Sequence, residues 1–163
     1  MIRMLLTIML LTLCSTVLAG YQGVADRVLV AKAEKKLYLL KDGVPFLEFP
    51  IALSPTPKGH KREQGDERTP EGSYILDFKN KDSDFYKSIR ISYPNQQDLQ
   101  HAELSGVDPG GAIMIHGTPN ESALPPSLIQ QFNWTDGCIA VTNRAMDEIW
   151  AAVETGTPIE IRP

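Results

Sequence analysis

The dipeptide Asp42-Gly43 lies between two runs of strand composition, and no other feature restricts the fold as strongly. Asp-Gly is a strong signal for a tight hairpin turn, because both residues accept the positive φ that such turns demand. Before it come Arg27–Ala31 and Lys36–Leu40, two short apolar stretches around a charged turn, and after it comes Val44–Leu53. The same grammar recurs downstream. Gly72–Phe78, Ile89–Tyr93, Ala112–His116, Cys138–Val141 and Pro158–Ile161 are all short and apolar or β-branched, with glycine, proline or charge around them. Helical spacing appears at Asn95–Leu104, just after Pro94. It appears again after Thr142, a candidate cap, where Met146, Ile149, Trp150 and Val153 form an i, i+3, i+4, i+7 stripe that Gly156 ends. Ser127–Phe132 has room for one further helical turn. The expected fold is mainly β with one or two helices, and not a doubly wound α/β sheet.

A chain of 163 residues with 42% hydrophobic and 22% charged residues suits one domain with a real core. The formal net charge of −4 argues against a nucleic-acid partner. Ser54–Pro70, rich in proline, glycine and charge, reads as an ordered or mobile surface loop.

The N-terminus reads as a targeting segment. Arg3 precedes an apolar run from Met4 to Leu13, and Val17-Leu18-Ala19 supplies small residues of the type a signal peptidase recognises. The run is too short to remain as a membrane span. Residues 1–19 are therefore expected to be a signal peptide and 20–163 the exported domain, placed in the periplasm or cell envelope. Leu11-Thr12-Leu13-Cys14 is the competing signal, for lipoprotein processing at Cys14, and the bulky Leu13 disfavours it. Cleavage near Ala19 removes Cys14 and leaves Cys138 as the one thiol. Exported proteins usually pair their cysteines. Count alone leaves two readings of Cys138 open: a reactive or intermolecular thiol, or a small buried hydrophobe.

Two stretches carry the chemistry, Ile113–Gly117 and Thr135–Cys138. A thiol near neutral pH is mostly protonated and needs a base or a cation to become nucleophilic. His116, at the end of an apolar strand, suits the base, and the glycine after it leaves a carbonyl free to orient the ring. Gly137 permits a tight turn in which backbone N–H groups converge on a developing oxyanion. A lone histidine at a strand end is more often structural; the pairing with Cys138 is what gives it weight. No pair among His60, His101, His116 and Cys138 has metal-ligand spacing, so neither metal nor other cofactor is expected.

His116-Gly117, then Thr135-Asp136-Gly137-Cys138, an apolar run and Asn143 together resemble the signature of the YkuD-type L,D-transpeptidase catalytic domain. Thr69-Pro70-Glu71-Gly72-Ser73-Tyr74 is similar to that family's turn into a strand. The resemblance covers essentially the whole chain beyond the signal segment and implies an L,D-transpeptidase-like β-sandwich. It implies that Cys138 is the nucleophile, His116 the general base, the Gly117 carbonyl the group that steadies the ring, and Gly137 an oxyanion donor. Thr135 would shape the turn or touch substrate. Partners implied are peptidoglycan stem peptides, with another stem or a lysine of a wall-anchored lipoprotein as acceptor, in a role in wall biogenesis and cell shape. The chain departs from the family at Asp136, where many members have histidine, and at Ala140, where many have arginine. Candidate substrate-binding residues are Asp136, Tyr93 and the basic loop residues His60, Lys61 and Arg62, with core packing for Tyr93 and ion pairing within the loop as alternatives. The rival functions are a hydrolytic use of the same site, as an L,D-carboxypeptidase or an amidase releasing wall-linked protein, and a silent wall-binding module.

Overall fold

The computed structural model describes residues 23–163; the expected signal segment and Cys14 lie outside the described residues. The strands are β1 (Arg27–Ala31), β2 (Lys36–Lys41), β3 (Val44–Pro50), β4 (Gly72–Ser83), β5 (Tyr86–Ile91), β6 (Met114–His116), β7 (Ile139–Ala140) and β8 (Thr157–Arg162). The helices are α1 (Gln96–Ser105), α2 (Pro126–Ile129) and α3 (Asn143–Ala152). All eight strands form one hydrogen-bonded sheet in the order β3-β2-β1-β8-β4-β5-β6-β7. Among the described residues only β1–β8 and β6–β7 are parallel pairs. The sheet folds back until its ends meet: Ala52, just past β3, exchanges backbone hydrogen bonds of 2.8 and 2.9 Å with Ala140 of β7. The mainly β expectation holds.

Local sequence explains most of these elements. Asp42 and Gly43 have φ of 52° and 77°, the left-handed pair that turns β2 into β3. Alternation along the strands turns Val28, Val30, Leu37, Leu39, Ile159 and Ile161 inward, and they join Leu76, Ile89, Ile91 and Ile115 in one core. Each such side chain contributes about 1.5–3 kcal/mol on leaving water. Helix α3 closes that core with Met146 and Ile149, and Thr142 caps its start by accepting the Ala145 N–H. Trp150 packs at the rim, where the Lys79 ammonium sits 4.4 Å from its ring centroid and donates to the Trp150 and Val153 carbonyls.

One element runs beyond expectation, and two segments left open in the sequence take definite form. The β4–β5 hairpin extends to Ser83 and Tyr86, through the polar stretch Asn80-Lys81-Asp82 that carries no apolar alternation. The further helical turn expected at 127–132 is α2, four residues long and shifted to Pro126–Ile129. The loop 54–70 is an ordered surface segment that is partly buried: Ser54, Lys61 and Thr69 are covered, while Thr56, Lys58 and Glu63 stay exposed. Two ammonium groups pin it. Lys32, buried beyond β1, donates to the Gly59 and Thr69 carbonyls and to the Glu71 carboxylate. Lys61 donates to the Glu63 carbonyl and the Asp66 carboxylate, both at 2.9 Å. Asp66 also accepts the N–H groups of Arg62, Glu63 and Arg68.

Candidate active site

Strands β6 and β7 bring the two chemistry-bearing stretches together. Ile115 pairs with Ile139 and His116 with Ala140, in parallel. Continuing that register sets Cys138, the residue before β7, beside Met114. Alternation then puts Cys138 and His116 on the same face, diagonally across neighbouring strands.

The histidine is tightly held. Its Nδ1 lies 2.7 Å from the Gly117 carbonyl oxygen. A carbonyl can only accept, so Nδ1 carries the hydrogen and Nε2 keeps its lone pair. Gly117 admits no side chain, because a Cβ there would fall 2.5 Å from Asn143 Oδ1 and 2.9 Å from Tyr86 Cβ. Asn143, the first residue of α3, accepts from the Thr118 N–H at 2.9 Å and the Thr118 hydroxyl at 3.0 Å. The helix thereby fixes the chain just after His116. Phe85, from the β4–β5 turn, lies 4.6 Å from the imidazole centroid, and Trp134 lies 5.5 Å away. The Trp134 indole N–H is buried with no partner among the described residues. Burial holds the His116 pKa below 6.5, and the bond to Gly117 only partly offsets it.

The cysteine sits in a turn of unusual backbone. Gly137 has φ +110°, and a Cβ there would approach the Arg68 carbonyl oxygen to 2.6 Å. Thr135 is buried and donates its hydroxyl to the Cys138 carbonyl at 2.8 Å. The Trp134 and Thr135 N–H groups both bond to Leu53 O, while no intramolecular bond takes up the Gly137 or Cys138 N–H among the described residues. Cys138 Sγ is partly exposed and lies 3.6 Å from the Ala112 carbonyl oxygen, which accepts the thiol proton. Burial raises the thiol pKa above 9.0; the Met114 N–H lowers it, Asp136 raises it and Lys61 lowers it. Among the described residues no hydrogen bond joins Cys138 to the His116 ring. Such bonds commonly tighten only once substrate is present.

The remaining candidates divide by what already occupies them. Asp136 is exposed beside Cys138. Arg62 is exposed on the rim of a cleft of about 240 Å³ that His60, Tyr93, Asp98 and His101 also line. His60 is spent internally: its Nδ1 accepts the Glu71 N–H and its Nε2 faces Asp98 at 3.0 Å. Tyr93 is buried, donates to the Pro109 carbonyl and packs edge-on against Tyr74. Lys61 is committed to Asp66, so it acts on the cleft through its field and not as a loose donor. Asn143 was present in the motif, but the residue pattern says nothing of its grip on Thr118. Phe85 and Trp134 carried no signal, since they reach His116 only through the folding of the sheet.

No helix among the described residues is long and apolar enough to cross a membrane.

Comparison with known proteins supplies the context. Residues 25–161 match the family model of the YkuD L,D-transpeptidase catalytic domain. YafK of Escherichia coli strain K12, a protein carrying an L,D-transpeptidase name, is 32% identical over 118 residues, covering 71% of this chain and 38% of that protein. The helical cell shape determining protein Pgp2 of Campylobacter jejuni aligns with TM-score 0.63 and 27% identity, over 83% of this chain and 46% of that one. The L,D-transpeptidase of Xylanimonas cellulosilytica shares the fold, with TM-score 0.54 at 15% identity over 86% of this chain and 61% of that one. The chain thus spans less than two thirds of the length of these relatives.

Proposed function

The chain belongs to the YkuD L,D-transpeptidase catalytic domain family, and from that premise we propose that it is an exported cysteine acyltransferase of peptidoglycan. The observation that carries the reading is the placement of Cys138 and His116 on one face of β6 and β7, with the His116 Nε2 lone pair free.

In this reading the donor is a tetrapeptide stem whose diaminopimelate acyl group is joined to a terminal D-alanine. Cys138 Sγ attacks the carbonyl carbon as its proton passes to His116 Nε2. The Gly117 carbonyl, bonded to Nδ1–H, stabilises the imidazolium that forms. The oxyanion is met by the Gly137 and Cys138 N–H groups. Collapse breaks the C–N bond, His116 returns the proton to the leaving amine, and D-alanine departs from a Cys138 thioester. An acceptor amine then attacks the thioester, gives its proton to His116 and restores the thiol. The thioester conserves the energy of the broken peptide bond, so no nucleotide is consumed. Water as acceptor gives the carboxypeptidase or amidase outcome on the same site. A second stem or a wall-anchored lipoprotein would provide the amine, in the periplasm or cell envelope. The likeness to Pgp2 extends the proposal to cell shape.

The test is incubation of the purified protein with muropeptides, read by mass spectrometry beside Cys138→Ala. Cross-linked dimers indicate transpeptidation, and D-alanine loss alone indicates hydrolysis. Identical products from wild type and variant would sink the assignment of Cys138.

A further inference from the structure

We propose that Arg68 is the residue that anchors the carboxylate of the donor peptide, a role that rests on the proposed acyl transfer. The cleft that Arg62 and Arg68 line contains carboxylates, but its buried ones are already satisfied. Asp66 takes Lys61 and three backbone N–H groups. Asp98 takes the Tyr74 hydroxyl, the Asn95 N–H and His60. The two guanidinium groups are in the opposite condition. Arg62 and Arg68 both line the cleft, and neither guanidinium has a hydrogen-bond or ion-pair partner among the described residues. A site whose buried anions are saturated and whose cations are unspent favours an anionic ligand.

Backbone geometry selects Arg68 of the two. Its carbonyl oxygen lies 2.6 Å from where a Gly137 Cβ would be, so its main chain packs against the turn that presents Cys138. Three hydrogen bonds hold the preceding segment on Asp66, including the Arg68 N–H at 3.0 Å, so the residue starts from a fixed backbone. In a donor ending in D-alanine, three bonds separate the scissile carbonyl carbon from the carboxylate carbon. A cation that recognises it must therefore sit within about one residue length, roughly 3.8 Å of backbone plus a side chain's reach, of the nucleophile. The Arg68 main chain, packed against the Gly137 turn, starts its side chain within that range, and its planar fork can take both carboxylate oxygens. Lys61 also acts on the thiol, but its ammonium is committed to Asp66 and the Glu63 carbonyl, and both His60 ring nitrogens are engaged.

The experiment compares a tetrapeptide stem ending in a free D-alanine carboxylate with the same peptide amidated at that end. Turnover is measured with wild type, Arg68→Gln and Arg68→Lys, and binding is measured calorimetrically in the Cys138→Ala background with and without Arg68→Gln. Wild type is expected to favour the acid about tenfold or more in KM. Arg68→Gln should lose that preference, leaving the amide's KM and the acid's kcat little changed, and Arg68→Lys should recover part of it. Equal weakening toward acid and amide, or no change in KM, overturns the proposal while turnover by wild type leaves acyl transfer standing. If wild type turns over neither peptide, calorimetry decides: an acid preference that Arg68→Gln abolishes supports the anchor alone, and no preference rejects it.

Discussion

The Cys138 sulfur lies 3.6 Å from the Ala112 carbonyl oxygen, an acceptor that holds the thiol proton in place without removing it. Burial raises the thiol pKa above 9.0 while it lowers that of His116 below 6.5, so the resting pair is neutral thiol and neutral imidazole. Alkylation of Cys138 by iodoacetamide should therefore climb with pH through a midpoint above 9.0. Asp136→Asn removes a neighbouring negative charge that raises the thiol, so its midpoint should fall below wild type. A reactivity plateau persisting down to about pH 5 would instead reveal a preformed thiolate–imidazolium pair, and would overturn the neutral resting state.

In the proposed mechanism His116 is the general base and sets the acid side of the activity profile. A general base works only when unprotonated, so activity should fall as pH drops through a value below 6.5, leaving more than half the plateau at pH 6.5. Phe85 packs 4.6 Å from the ring and helps to exclude water. In Phe85→Ala the imidazole regains solvent, the charged form becomes easier to reach, and the acid limb of kcat/KM should move to higher pH. An unmoved limb would show that Phe85 does not shield the base.

Asn143 gives a contrast between two substitutions. Its Oδ1 accepts from both the N–H and the hydroxyl of Thr118, and no bond in this pair requires the amide nitrogen. Asn143→Ala leaves the Thr118 N–H unpaired in a buried place and should cost about 1–3 kcal/mol in denaturant unfolding, together with activity. Asn143→Asp keeps the acceptor and adds a negative charge at a helix start, where it is favourable. It should stay within about 1 kcal/mol of wild type. Equal losses in both variants would mean that the side-chain nitrogen matters instead.

These contrasts indicate why some of the molecule was legible in the sequence and some was not. Strands bounded by glycine and proline, the Asp42-Gly43 turn and the α3 stripe are local signals, each within a dozen residues, and they placed the elements well. The extended end of the β4–β5 hairpin was hidden because Asn80-Lys81-Asp82 is polar, and its pairing depends on a partner strand. That hidden turn carries Phe85 to the His116 ring. The 54–70 loop was legible as a surface segment whose charges could pair within it, but the burial of the Lys61–Asp66 pair and the Lys32 anchor are properties of three-dimensional contact. His116 and Cys138 stood out by residue type, whereas their shared face comes from the β6–β7 register.

The Lys61–Asp66 pair makes a stability test of that loop. Both side chains are nearly water-free, at 4% and 9% exposure, so removing one partner strands a buried charge. Lys61→Met should destabilise the fold by about 3 kcal/mol or more in denaturant unfolding. Burial pushes the Asp66 carboxyl up, but the Arg62, Arg68 and Glu63 N–H groups and the Lys61 ammonium together hold it below 3.8. A depressed folded-state carboxyl contributes stability that is present above 3.8 and lost as pH falls through its lower folded value. The wild-type stability should therefore decline more steeply below pH 3.8 than that of the double variant Lys61→Met, Asp66→Leu. Parallel declines would mean that the pair does not fasten the loop.

The two positive-φ glycines Gly43 and Gly137 separate backbone strain from steric overlap. Gly43, at φ +77°, has open space where a Cβ would stand, whereas Gly137, at φ +110°, would drive that atom to 2.6 Å from the Arg68 carbonyl oxygen. Gly43→Ala should therefore cost only the conformational term, about 1–2 kcal/mol. Gly137→Ala carries the same term and must also displace backbone that Asp66 holds in place, so it should cost several kcal/mol, on the order of 3–4. In the proposed mechanism it also tilts the Gly137 and Cys138 N–H groups away from the oxyanion, so kcat should fall by roughly a hundredfold or more even where the protein remains folded. Gly43→Ala, far along the chain from the site, should keep its kcat. Equal unfolding costs for the two variants, with kcat retained in Gly137→Ala, would show that the turn tolerates a side chain and that its amides are not the oxyanion donors.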